Sequence, residues 1–327
     1  MVSDSNPVSS ARASRGRIWL VLGIVYIVWG STYLAMRYAI ATIPPFWMSG
    51  TRHFVAGTLL FGFLKLRGIR WPSLREWGAA ARVGILLLSL GNGGVVWSEQ
   101  YVASGVTALI VAFVAIWMVL IDWLQPGGHR PRRGVFIGLS LGLAGVALLV
   151  GPAHVGGDQR VNVTGACVLV LASFAWALGS IISRRLPLPR EPLLATAMEM
   201  LCGGAVLWLL GGLAGEGRNF HLRAVTPHSL LALGYLVVMG SLVGFTAYIW
   251  LLGAARPTQV ATYAYVNPLV AVVIGWSMGG EPLGLRTVLA AAVILSGVAS
   301  IVSSSGARPA LAVPKAMEMT ANVSCLR

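Results

Sequence analysis

The chain is short of charge. Only 10% of its 327 residues are Asp, Glu, Lys or Arg, against about 25% in an ordinary soluble domain. Acids are the scarcest, with ten Asp and Glu against 24 Lys and Arg. Too little charge remains to solvate the surface of a globular protein of this length. Cysteine is also rare: Cys167, Cys202 and Cys325 are too few and too scattered for a disulfide framework or a metal site. Cys325 is third from the end, which does not fit a prenylation box. The five histidines, His53, His129, His154, His221 and His228, fall near loops or span ends and form no metal spacing. A membrane enzyme would need grouped acids, a metal cluster or a nucleophile with its base. The chain is therefore read as no enzyme, with no cofactor and no metal. A phosphate-cradling glycine loop is also missing, so ATP-driven pumping has no support within this chain.

Apolar residues are what the chain has. They make up 57% of it, together with 40 Gly and 12 Trp. Glycine suits closely packed membrane helices and tryptophan suits membrane–water interfaces. The net charge of +14 sits in short clusters between apolar runs, as in KLRGIRWPSLRE (65–76), HRPRRG (129–134) and SRRLPLPRE (183–191). That is the pattern of membrane orientation, and it excludes the basic face of a nucleic-acid binder.

A span needs about 20 mostly apolar residues. Ten candidates run near 18–38, 45–66, 78–100, 104–124, 134–151, 162–184, 191–214, 227–251, 256–279 and 284–303. Residues 1–17 form a Ser/Arg-rich tail, and 304–327 a second one. The run after Arg17 is too long for a signal-peptide core and is read as a retained first span. With the N-terminus cytoplasmic, seventeen of the 24 Lys and Arg lie on the inner side. Arg37, Arg52, Arg160, Arg218, Arg223 and Arg286 are assigned to outer ends and loops, and Arg82 lies just inside the third span. Both termini are then cytoplasmic.

The two halves resemble each other. ALIVAFVAIWMVLIDW (108–123) aligns with ATYAYVNPLVAVVIGW (261–276) at an offset of 153, and AGVA (144–147) with SGVA (296–299) at 152. Trp29 with Arg37 repeats as Trp176 with Arg184. Three ordered matches indicate a five-plus-five repeat, 18–151 and 162–303. A unit with an odd number of spans ends on the opposite side of the membrane, so its second copy enters inverted. Inverted repeats mark secondary transporters, whose substrate site lies near mid-depth.

The segments WGSTYLAMRYAI (29–40), GNGGVVWSEQYVASGVTALIVA (91–112) and YAYVNPLVAVVIGWSMGGEPL (263–283) resemble the ten-span EamA-type branch of the drug/metabolite transporter superfamily, with the bacterial inner-membrane exporters nearest. The resemblance implies an all-α integral membrane protein, ten helices in two inverted five-helix repeats around a central cavity. It also implies movement of amino acids, amines, carboxylates or drug-like compounds, usually outward, by alternating access. Two departures stand out. Ala115 occupies the place of a fourth-span proline matching Pro268, which leaves the first half straighter. Glu281 fits an acidic motif after the ninth span, whereas Leu124-Gln125-Pro126 lacks the acid after the fourth.

The expected substrate-binding residues are Asn267, Pro268, Tyr263, Tyr265, Asn92, Ser241, Trp29 and Trp176. Asn267-Pro268 reads as a helix break ~16 Å beyond Arg256 at 1.5 Å per residue, about half of a ~30 Å core. Tyr263 and Tyr265, two apart, cannot both face a cavity squarely on a regular helix. Asn92, in the poorly helical run Gly91–Gly94, aligns with Ser241 in the second half; substrate contact and glycine packing both fit. Trp29 and Trp176 are aromatic walls for an amphipathic cargo or packing groups. Glu99 is an interfacial acid or a gate charge. Glu199, a charge inside the seventh span, is a coupling or amine-attracting group or a paired structural acid. Expected partners are a small-molecule substrate, the lipid bilayer and protons, with no nucleic acid. A channel or a non-transporting membrane receptor remains the alternative.

Overall fold

The computed structural model describes residues 14–124, 133–150, 161–218, 220–255, 260 and 263–304. All regular structure among the described residues is helical. In chain order the long helices are α1 (Arg15–Ala39), α2 (Pro45–Leu66), α3 (Leu74–Ser98), α4 (Ser104–Val111), α5 (Val114–Leu124) and α6 (Arg133–Val150). They continue with α7 (Val163–Ser183), α8 (Pro192–Leu213), α9 (Pro227–Leu251), α10 (Tyr263–Gly279) and α11 (Leu285–Ser304). The α4–α5 pair fills the fourth expected span.

The starts are written locally. Ser14, Asn162 and Thr226 accept backbone N–H bonds from the first turns of α1, α7 and α9. Pro45 and Pro192 open α2 and α8, where a missing N–H costs nothing. A capping box of Ser73 and Glu76 opens α3, and Arg70 pairs with Glu76.

Six helical segments are long and apolar enough to cross a membrane: Arg15–Ala39, Leu74–Ser98, Ser104–Ile121, Val163–Ser183, Pro192–Leu213 and Pro227–Leu251. Phe136–Gly145, Val266–Gly279 and Leu285–Ser300 are shorter apolar stretches. Leu59, Leu171, Leu209 and Val273 are exposed at 54–67%, as side chains in contact with lipid must be. The chain is an all-α, multi-pass membrane protein.

Small residues set the pairing, because lipid supplies no hydrophobic drive between helices and close backbone contact must replace it. Gly50 packs on Trp208 and Gly204, and Gly57 on Ala197 and Met200, so α2 and α8 run antiparallel. Gly145 meets Ile294 and Gly297 meets Gly138, so α6 and α11 are antiparallel too. Gly30 lies on Asn267 and Val270, while the Tyr38 hydroxyl donates to the Met278 carbonyl at 2.7 Å, making α1 and α10 parallel. Gly165 sits by Val102, and Trp117 Nε1 donates to Ser173 Oγ at 3.1 Å, so α4–α5 run parallel to α7.

Two helices depart from α geometry at matching places. Ile85–Asn92 in α3 and Leu236–Val243 in α9 are π-helical, eight residues each and 151 apart. A π stretch widens the turn and re-aims the side chains after it, and such stretches occur often at functional sites.

The expected helix break at Pro268 is absent: α10 runs through it as one helix. The break lies instead in the first half, at Ala112–Phe113, where Phe113, Ala115 and Ile116 bond three residues back rather than four. Phe113 is 2% exposed and packs with Ile116. No proline stands at this break.

Candidate functional site

Between the halves lies a cavity of about 120 Å³. One wall is aromatic. Trp29 meets Phe245 and Tyr263 edge-on, each with ring centroids 5.5 Å apart, and Trp176 lies across the cavity against the π stretch of α3 at Gly91. Trp29 does the same against the other π stretch, its indole N–H donating to the Gly240 carbonyl at 3.3 Å. The repeat seen in the sequence, Trp29 with Trp176, thus becomes two indoles, each seated on the π segment of the opposite half.

The polar lining comes from four helices. Asn267 of α10 is 6% exposed, and its Oδ1 is buried with no hydrogen-bond partner. Asn92, at the end of the α3 π stretch, accepts at Oδ1 from Ser49 Oγ at 3.0 Å. Thr32 and Tyr33 of α1 complete one side, and Arg52 with His53 of α2 the other. The Ser49 carbonyl, 2.8 Å from His53 Nδ1, can only accept, which assigns the proton to that nitrogen and leaves Nε2 as an acceptor in the neutral ring.

Arg52 and His53 change the reading of the sequence. The sequence places Arg52 at an outer end and His53 near a span end, yet they are 4% and 1% exposed and line the cavity. The signal was present in their position. Arg52 is seven residues beyond Pro45, ~10 Å into the helix, where a charge is expensive enough to imply a function. Counting charges by side of the membrane hid their depth.

The other expected residues divide. Asn267, Pro268, Tyr263, Asn92, Trp29 and Trp176 all line this cavity. Ser241 does not; it lies behind Arg52 and accepts from Arg52 Nε at 3.0 Å. The Tyr265 side chain lies outside the described residues. Glu199 does not line the cavity; its own carbonyl is covered by Gly84, where a Cβ would come within 2.4 Å. Glu99 is 4% exposed rather than solvated, and both its carboxylate oxygens are buried without a hydrogen-bond partner.

One end of the bundle is clasped. Glu281, in the α10–α11 connection, pairs with Arg37 of α1 at 2.5 Å. The same carboxylate accepts from Ser104 N and Oγ, both at 2.7 Å, and from Gly105 N at 3.1 Å, capping α4. Gly275 makes room: a Cβ there would lie 2.5 Å from Glu281 Oε2. At this same end Glu216 accepts from the Phe46 and Trp47 amides at 2.9 and 3.0 Å, and Ser229 Oγ donates to the Tyr38 carbonyl at 2.8 Å. These bonds tie α1 to α4 and α9, and α2 to the α8–α9 connection. Among the described residues no group of His, Cys, Asp and Glu could hold a metal ion.

Comparison with known proteins agrees with this architecture. The chain matches the EamA-like transporter family twice, over residues 16–151 and 163–303. It is 40% identical over 276 residues to the uncharacterized inner membrane transporter YedA of Escherichia coli (strain K12), covering 84% of this chain and 87% of that one. It is 27% identical to the uncharacterized transporter YvbV of Bacillus subtilis (strain 168), covering 91% of this chain and 95% of the other. A crystal structure of a protein 21% identical in sequence shares the fold at a TM-score of 0.59, over 90% of this chain and 99% of that one. The chain belongs to the EamA-like transporter family and is a membrane transporter.

Proposed function

We propose that the chain is a secondary transporter that exports small amphipathic metabolites by alternating access, without ATP. The observation that carries this reading is the direction of the helix pairs. If successive spans reverse direction, α1 and α7 enter the membrane from opposite faces. The parallel pairs α1–α10 and α4–α5 with α7, and the antiparallel pairs α2–α8 and α6–α11, all agree with that. Exchanging the two halves turns each of these pairs into itself or into another pair of the set. That is the behaviour of two inverted repeats, 18–151 and 162–303, about an axis in the membrane plane. A pocket on such an axis is reached from either face when the halves rock, and from one face at a time.

The two ends support a resting state. The clasped end carries Arg37, Glu281 and Ser104 under the largest buried cluster, which includes Met36, Ile43, Val96 and Leu109. At the opposite end the described buried residues form smaller clusters, around Leu60 and Leu194 and around Leu22 and Leu251. With the Lys/Arg-rich end cytoplasmic, the clasped end faces outward, both termini face inward, and a bacterial inner membrane is the setting. Protons are a candidate driving ion, and the bilayer and a small molecule are the partners.

Counterflow in proteoliposomes tests the reading. Vesicles loaded with an unlabelled mixture of amino acids, amines and carboxylates should take up labelled members of that mixture faster than empty ones, and uptake should saturate. Flux that rises linearly with concentration and ignores internal substrate would instead mean a channel.

A further inference from the structure

The cavity brings one fixed positive charge to a wall that is otherwise neutral. Arg52 is the one formally charged side chain in the lining, and it is 4% exposed. A buried guanidinium normally holds a carboxylate, because an unpaired buried charge is costly. Here none is in contact. The two ion pairs found among the described residues are Arg37–Glu281 and Arg70–Glu76. Glu99, whose two carboxylate oxygens have no hydrogen-bond partner, makes no bond to it.

The guanidinium is nevertheless held in place. Its Nε edge is committed to Ser241 Oγ at 3.0 Å. Nη1 has only the Met36 sulfur, a weak acceptor, at 3.6 Å. Nη2 lies over Gly240, where an added Cβ would come within 2.9 Å. The π stretch of α9 therefore supplies both the hydroxyl that orients the fork and the missing side chain that makes room for it. The two Nη donors have no strong acceptor, in a fork whose geometry matches a carboxylate in two parallel hydrogen bonds.

Resting on the transporter reading above, we infer that Arg52 is the substrate anchor and that the cargo is a carboxylate with an apolar or aromatic body. The carboxylate takes the open Nη edge of Arg52. The body lies against Trp29, Trp176, Phe245 and Tyr263. Asn267 Oδ1, an unpartnered buried acceptor in the same lining, receives a donor where the cargo carries one. Ser241 is a positioning residue: it touches the guanidinium rather than the cargo.

The test is binding to the full-length protein in lipid nanodiscs, followed through the fluorescence of its tryptophans, two of which line the cavity. The probes are 3-phenylpropionate and its neutral amide, matched in everything but charge. The carboxylate should bind saturably and the amide about 10-fold or more weakly, the scale of a hydrogen bond to a charged group. Arg52→Gln should bring the carboxylate down to the level of the amide. Arg52→Lys, which keeps the charge without the fork, should fall between, and Ser241→Ala should weaken the carboxylate alone. Equal binding of the two probes to the unmodified protein overturns the anchor, a result that needs no variant to fold. So does absence of carboxylate binding at millimolar concentration, or full binding by Arg52→Gln. Carboxylate binding without counterflow would leave the anchor standing and remove the transporter reading instead.

Discussion

Asn267 separates structural from functional roles at the scale of one residue. Its side-chain Oδ1 is buried with no hydrogen-bond partner, so that atom brings no hydrogen bond to the empty protein. Replacing a buried group that already lacks its partner should change stability little, by under about 1 kcal/mol. Asn267→Ala is therefore expected to insert and melt like the original protein in detergent while counterflow is lost. A large drop in melting temperature would mean that the amide works in packing after all. The sequence pointed to Asn267 by its depth and by the proline beside it, and to Asn92 by its glycine surroundings. It did not point to Arg52 and His53 because His53 was judged by closeness to span ends and Arg52 by its side of the membrane. Ser241 was found by alignment with Asn92, yet the two do different work. Asn92 lines the cavity, whereas Ser241 holds the guanidinium that does. An alignment transfers position along a helix, not the face that a π turn presents.

Among elements, the decisive feature is how closely helices approach at glycines. Gly84 ends the regular turns of α3 just before its π stretch, and a Cβ there would lie 2.4 Å from the Glu199 carbonyl oxygen of α8. Backbone cannot swing aside as a side chain can, so the helices must separate. Gly84→Val should cost about 1–3 kcal/mol, read as a lower melting temperature in detergent. A control at Gly62, where an added Cβ meets nothing within 4 Å, should melt unchanged. Apolar length placed most of the helices in advance, to within a few residues. It did not place the two local irregularities. Pro268 looked like a break, but a helix can lose one hydrogen bond and continue where neighbours hold it, here α1 packed on Asn267 and Val270 through Gly30. Ala112–Phe113 contains neither proline nor glycine, so no local pattern marks the break there.

For the whole molecule, the exchange of helix pairs between the halves is what the five-plus-five reading of the sequence expects, a reading drawn from the aligned segments of the two halves together with apolar length. What that reading could not supply is the inequality of the two ends. Glu281 ties α1, α4 and the α10–α11 connection together at one end. After the fourth span the corresponding segment, Leu124-Gln125-Pro126, lacks the acid. A shuttle bolted on one side alone spends most of its empty time facing the other way, here inward under the proposed orientation. Apparent affinity scales with the population of the competent form, so half-saturation should come at lower concentration from the cytoplasmic side than from outside. The direction of net flux still follows the gradients, because the inequality changes the half-saturation at each face and not the equilibrium. Glu281→Gln should narrow the gap between right-side-out and inside-out vesicles, and a gap that survives the change would place the bias elsewhere.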